Sequence, residues 1–161
     1  MKLFFKLYDI LSGILFLLCV LLAGILFLPQ LFGIKNYIVI SGSMEPIIHT
    51  GSVVYIDEKE QNIGINDIIA YQLSDGTKVV HRVINIDTNQ QIMITKGDAN
   101  ETQDLSPVPF VNVIGKFVVA IPYLGFVLAW IKTKQGILIC ACGFLLFLSV
   151  GFLQSSKKKV F

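Results

Sequence analysis

The sequence predicts a mainly β domain carried between two transmembrane helices, and three observations lead to that prediction. The 161-residue chain is 54% hydrophobic and only 15% charged, against roughly 25% charged in an ordinary soluble domain. Two long runs, one towards each end, contain no charged side chain. The stretch between them consists of short β-branched runs separated by turn signals. This composition excludes a disordered chain, which needs few apolar residues and a high net charge. The three cysteines, Cys19, Cys140 and Cys142, all lie in the apolar runs, which excludes a disulfide-stapled scaffold. A formal net charge of +2 is too small to argue for a nucleic-acid partner, so none is expected.

The first run, Ile10 to Leu28, has 19 residues without a charge and is followed by Pro29. A helix of that length reaches about 28 Å, close to the ~30 Å hydrocarbon core of a bilayer. Residues 1–9 are therefore read as a cytoplasmic N-terminus and 10–29 as a transmembrane helix. A cleavable signal peptide is the rival reading, but such apolar regions run to only ~7–15 residues and end at a small-x-small pair. This run is longer and lacks that pair, so a retained anchor is expected. Gly136 to Leu153 forms a second charge-free run of 18 residues, followed by Lys157, Lys158 and Lys159. Residues 136–153 are read as the second transmembrane helix and 154–161 as a basic cytoplasmic tail. Lysines beside spans tend to stay cytoplasmic, and Lys2 and Lys6 place the N-terminus on the same side as the tail. Lys132 and Lys134 on the outer flank weaken that asymmetry a little.

Residues 30–120 are thus expected to form an extracytoplasmic domain. Its apolar runs are Tyr37–Ile40, Ser52–Ile56, Asp67–Tyr71, Lys78–Ile86, Gln91–Thr95 and Val111–Val119, divided by Thr50-Gly51, Asp75-Gly76 and Gly97-Asp98. Runs of this length and spacing predict a compact, mostly antiparallel β domain. Residues 121–135 hold Tyr123, Phe126 and Trp130, aromatics suited to a membrane interface. For the wider segment Phe117–Ile131 the plainer reading is a last core strand plus a linker, and the segment is long enough for both.

Chemistry could reside in Ser41-Gly42-Ser43-Met44-Glu45-Pro46. If this stretch continues the preceding strand, Ser41 and Ser43 share a face, so that one hydroxyl can attack a carbonyl while the other donates to the developing oxyanion. A simple Ser-Gly-Ser turn is the plainer reading of the same residues. A serine nucleophile needs a base, and the chain has two histidines. His81, inside Lys78-Val79-Val80-His81-Arg82-Val83-Ile84, shares a strand face with Val79 and Val83 and is expected to be partly buried. His49 precedes Gly51 and is expected to be solvated. The polar stretch Lys96 to Asp104 contains Asp98 and Asp104, either of which could orient an imidazole. Asn100-Glu101-Thr102 is a glycosylation sequon; a glycan there would obstruct such a loop, so it is expected to be unused, as in a prokaryote. No zinc, Walker or dinucleotide motif is present, so neither a metal nor a cofactor is expected.

Taken together, these segments resemble the type I signal peptidases, membrane serine proteases that remove signal peptides. Ser41 to Pro46 is similar to the family's Ser-x-Ser-Met-x-Pro box, whose second serine, here Ser43, is the nucleophile. Val80-His81-Arg82-Val83 is similar to the box that supplies the base. Many bacterial members carry lysine there, whereas His81 matches the endoplasmic-reticulum and archaeal type, also found in some Gram-positive bacteria. Lys96 to Asp104 is similar to the last box, with Asp104 in the place of a proposed triad member and Asp98 in that of a second required acid. Ile47 departs from the threonine that many members carry. The resemblance implies an oxyanion site built from the Ser41 hydroxyl and the Ser43 N–H. It also implies secretory preproteins with small residues at −1 and −3 as substrates, and a β-rich fold resting on the outer face of the phospholipid bilayer of the cell membrane. It leaves open the need for accessory subunits. A non-catalytic scaffold for exported proteins is the alternative from a different class. A soluble self-cleaving repressor-type protease is a third, and the two spans argue against it.

Overall fold

The structure is a computed structural model that describes residues 2–60 and 62–158. Lys159 and the end of the basic tail lie outside the described residues. The chain divides into two compact units, Met1–Ile25 with Val127–Phe161, and Leu26–Phe126.

The first unit is helical. Helix α1 spans Lys2–Phe27, starting well before the charge-free run, because Lys2, Lys6 and Asp9 limit where a bilayer can begin but not where a helix can. Regular α geometry stops ahead of Pro29, as the missing N–H requires, and a 3-10 turn follows at Leu28–Phe32. Helices α2 (Leu124–Ile131) and α3 (Lys134–Lys158) complete the chain. The stretch Lys6–Phe32 is long and apolar enough to cross a membrane. Helices α2 and α3 meet that standard as a pair, bent by 82° at the break between them. Residues 121–135 therefore hold a strand end and a short helix.

The second unit is β-rich. Strands β1 (Ile34–Ile38), β2 (Val53–Asp57), β3 (Ile68–Gln72), β4 (Lys78–Asp87), β5 (Ile92–Lys96), β6 (Val108–Pro109) and β7 (Val113–Ile121) form one sheet. Their order is β1-β2-β7-β3-β4-β5-β6, and every pairing is antiparallel. The predicted mainly β class is therefore observed, in the form of a half-barrel. Period-two alternation sends apolar side chains to both faces. Met44, Ile48, Val54, Ile56, Ile68 and Ala70 form one core cluster, and Ile69, Tyr71, Val83, Met93 and Val108 form another.

One expected strand is shortened and one unexpected strand is added. The run Tyr37–Ile40 is only half strand: β1 ends at Ile38, and Val39 is tied instead to the chain around Gly51, donating to the Ser52 carbonyl (2.9 Å) and accepting from the Gly51 N–H (2.8 Å). The short β6 carries no recognisable run, and its Pro109 suits a sheet edge, where a missing N–H is tolerated.

Candidate active site

The Ser41–Ser43 stretch does not continue the strand. After β1 the chain turns, because Met44 and Ile48 are both drawn into the core at 1% exposure and the Ile48 N–H bonds the Met44 carbonyl at 2.9 Å. The shared-face expectation thus gives way to the turn, which still leaves Ser41 Oγ and Ser43 Oγ 3.5 Å apart.

Across from this turn stands His81 on β4. Alternation places it with Val79 and Val83, on the face packed by Tyr71, and its exposure is only 7%. The Tyr71 and His81 rings meet edge to face at 6.3 Å. His81 Nε2 lies 3.0 Å from Ser43 Oγ, and Nδ1 lies 2.7 Å from Asp104 Oδ2. Asp104, as a carboxylate, accepts from the ring, so Nδ1 carries the proton and Nε2 is free to accept from the Ser43 hydroxyl.

Two further donors converge on the same carboxylate oxygen. Thr95 Oγ1 donates to Asp104 Oδ2 at 2.6 Å, and the Tyr71 hydroxyl does so at 3.0 Å. The Asp104 N–H in turn bonds the Thr95 carbonyl at 2.9 Å, so both the backbone and the side chain of Asp104 are tied to β5. Burial, the largest influence, pushes the Tyr71 phenol up to about 12, with Asp104 beside it acting in the same direction. The phenol therefore remains a donor at any working pH. The stability it contributes is complete below its ordinary value of ~10 and is lost as pH rises through about 12. Sequence reasoning missed Tyr71 and Thr95. The available signal is a lone threonine after the apolar run Ile92–Ile94 of β5, and it names no partner.

Asp98 is not brought to the imidazole. It receives Arg82 in a two-pronged pair, Nε at 2.8 Å and Nη2 at 2.6 Å, and this hydrogen bonding raises the Arg82 pKa. Arg82 Nη1 also donates to the Asn66 carbonyl at 2.7 Å. Being adjacent on β4, Arg82 and His81 face opposite sides of the sheet. One strand thus holds the loop from Gly97 to Asp104 from both faces. His49, expected to be solvated, is instead half-buried. Its Nδ1 is 2.6 Å from Glu45 Oε2, and its ring stacks on Tyr123 at 6.0 Å. The Thr50 N–H also bonds Glu45 and, ahead of His49, holds that carboxyl below its ordinary value.

The loop meets the serine through the backbone. The Ala99 N–H donates to the Ser43 carbonyl at 2.9 Å. A Cβ at Gly97 would stand 2.6 Å from that same oxygen, a distance no side chain tolerates, so only glycine permits the approach. An apolar cleft of about 490 Å³ opens beside the serine, with Val39, Met44, Val54, Ala70 and Val80 among its walls and Ser43 and His81 at its margin. Among the described residues no cluster of three or more His, Cys, Asp or Glu side chains is arranged to hold a metal ion.

A hydroxyl, an imidazole and a carboxylate in hydrogen-bonded sequence form the constellation of the serine hydrolases, which recurs on unrelated folds. The comparison with known proteins narrows that class. The chain is 29% identical over 123 residues to the signal peptidase complex catalytic subunit SEC11 of Zygosaccharomyces rouxii, covering 67% of this chain and 72% of that one. It is 30% identical over 109 residues to the subunit of the same name in Lodderomyces elongisporus, covering 61% and 66%. It is 36% identical over 95 residues to signal peptidase I W of Bacillus subtilis, covering 55% and 49%. No protein-family model matches. The chain belongs to the type I signal peptidase family.

Proposed function

We propose that this chain is a membrane-bound serine endopeptidase that removes N-terminal signal peptides from secretory preproteins, with Ser43 as nucleophile and His81 as general base. The observation that carries this reading is the unbroken series Ser43–His81–Asp104 at the margin of an apolar cleft. His81 Nε2 takes the Ser43 proton as Ser43 Oγ attacks the carbonyl carbon at the cleavage site. The Ser43 N–H and the Ser41 hydroxyl donate to the oxyanion. Imidazolium then protonates the leaving amine, and a water, deprotonated by the same ring, releases the acyl group from Ser43. Asp104 holds the Nδ1–H tautomer and stabilises the charged ring. Asp98 acts at one remove, by fixing Arg82 and the loop. A non-catalytic scaffold would have no need of this hydrogen-bonded series.

The apolar lining of the cleft suits uncharged side chains at −1 and −3, and the preference for small ones there is carried by the family resemblance. Both termini are assigned to the cytoplasmic side of the cell membrane, with the catalytic domain outside. In support, the Tyr8 hydroxyl donates to the Phe147 carbonyl at 2.7 Å and the two rings pack at 5.5 Å. Tyr8, near the start of α1, thus lies beside the middle of α3. Tethering enzyme and preprotein to one bilayer raises their effective concentration. Asn100, whose amide packs against Gly97, is assigned as unglycosylated, in keeping with a prokaryotic source.

The test is intact-mass spectrometry of a preprotein with an Ala-x-Ala site, incubated with the purified protein in detergent and phospholipid. Release of the signal-peptide mass at that site is expected; an intact preprotein would overturn the assignment. The loop contact yields a second expectation. Gly97→Ala should lower kcat by about 100-fold, the scale of an ångström's misplacement of a reacting group, with a much smaller change in KM. An unchanged kcat would show that the Ser43 carbonyl contact does not position the nucleophile.

A further inference from the structure

The apolar cleft beside Ser43 has a cation among its lining side chains. Apart from His81 at the catalytic margin, Lys78 is the one side chain lining it that can carry a charge. Among the described residues Lys78 has no carboxylate within ion-pair distance. Its ammonium sits over the Tyr37 ring, 4.6 Å from the centroid, which joins β4 to β1 across the cleft, although these strands are not neighbours in the sheet. Alternation puts Lys78 on the same face of β4 as Val80, a cleft wall, and opposite Gln72 of β3.

The position has a length attached to it. Lys78 precedes His81 by three residues on one strand, and a strand rises about 3.3 Å per residue. The ammonium-bearing residue thus stands about 10 Å from the catalytic margin, the reach of three extended substrate residues. A peptide that runs through the cleft parallel to β4, with its cut carbonyl at Ser43, brings the residue at −4 to Lys78. An aromatic face attracts a cation without neutralising it, so the charge remains available to a carboxylate.

We propose that Lys78, held by Tyr37, is a specificity-determining residue that favours an acidic side chain at −4 of the preprotein and disfavours a basic one. The proposal rests on the signal-peptidase reading and adds a charge preference to it. Lys78 is exposed, so its replacement leaves the core untouched. An exposed ion pair of this kind is worth at most about fivefold.

The experiment measures kcat/KM for wild type, Lys78→Met, Lys78→Arg and Lys78→Glu on preproteins that differ only in glutamate, glutamine or lysine at −4. A matching set varied at +2, beyond the cut, serves as the control. The expected result is a glutamate-over-lysine preference of about fivefold in wild type and Lys78→Arg, its loss in Lys78→Met and its reversal in Lys78→Glu, with no effect at +2. Cleavage with the same −4 ratio in all four enzymes overturns the role of Lys78 and leaves the peptidase reading standing. Failure of every enzyme to cut the glutamine substrate overturns both.

Discussion

Ser43→Ala is expected to reduce signal-peptide cleavage by on the order of 10⁵-fold or more, the scale seen when a triad nucleophile is removed. Ser43 is the only hydroxyl within hydrogen-bond distance of His81 Nε2 among the described residues, and Ser41 Oγ, 3.5 Å further on, is not placed to deliver its proton to the ring. The side chain is partly exposed, and its loss removes only its contacts with His81 and Ser41 at the surface of the domain. Stability should therefore change by no more than about 0.5 kcal/mol. Loss of activity at constant thermal stability, read by mass spectrometry and by circular dichroism, separates a chemical role from a folding one. Retention of more than a hundredth of the wild-type rate would remove Ser43 from the reaction.

The second large effect concerns Asp104. Its Oδ2 accepts from His81, Thr95 and Tyr71 together. An asparagine that places its carbonyl oxygen there keeps all three donors satisfied and removes only the negative charge. Asp104→Asn is therefore expected to lower kcat by about 10³–10⁴-fold with little loss of stability. Asp104→Ala takes away the acceptor as well and leaves the buried Thr95 hydroxyl and the Tyr71 phenol to find other partners. Each unsatisfied buried group costs about 1–3 kcal/mol, so that variant should lose both rate and stability in a denaturant titration. Equal stability of the two variants would show that Oδ2 is not the hub of this network.

These expectations depend on parts of the molecule that differ in how far the sequence alone exposes them. The run from Lys78 to Ile86 alternates cleanly enough to locate β4 and to assign His81 to the face of Val79 and Val83, because strand periodicity is a local property. The resemblance in the boxes around Ser43, His81 and Asp104 supplies the three residues that the structure brings together. Periodicity says nothing about which carboxylate meets the imidazole. Asp98 and Asp104 lie on one loop, and the choice between them depends on Arg82 emerging from the opposite face of β4 to claim Asp98. At Ser41–His49 the turn prevails over the extended alternative because burial of Met44 and Ile48, a tertiary demand, overrides strand periodicity beyond Ile38. Gly97 shows the same limit. Its requirement arises from the Ser43 carbonyl, far away in the chain, and no local pattern encodes it.

The account's central claim is that Ser43 and His81 act as one unit, and the most direct test compares Ser43→Ala, His81→Ala and the double variant in a single cleavage assay. When the base has no hydroxyl to activate, removing it costs nothing further. The double variant should therefore cleave at the residual rate of Ser43→Ala alone. A further fall, by the factor that His81→Ala costs in the wild-type background, would show that the two residues act independently and would contradict the mechanism.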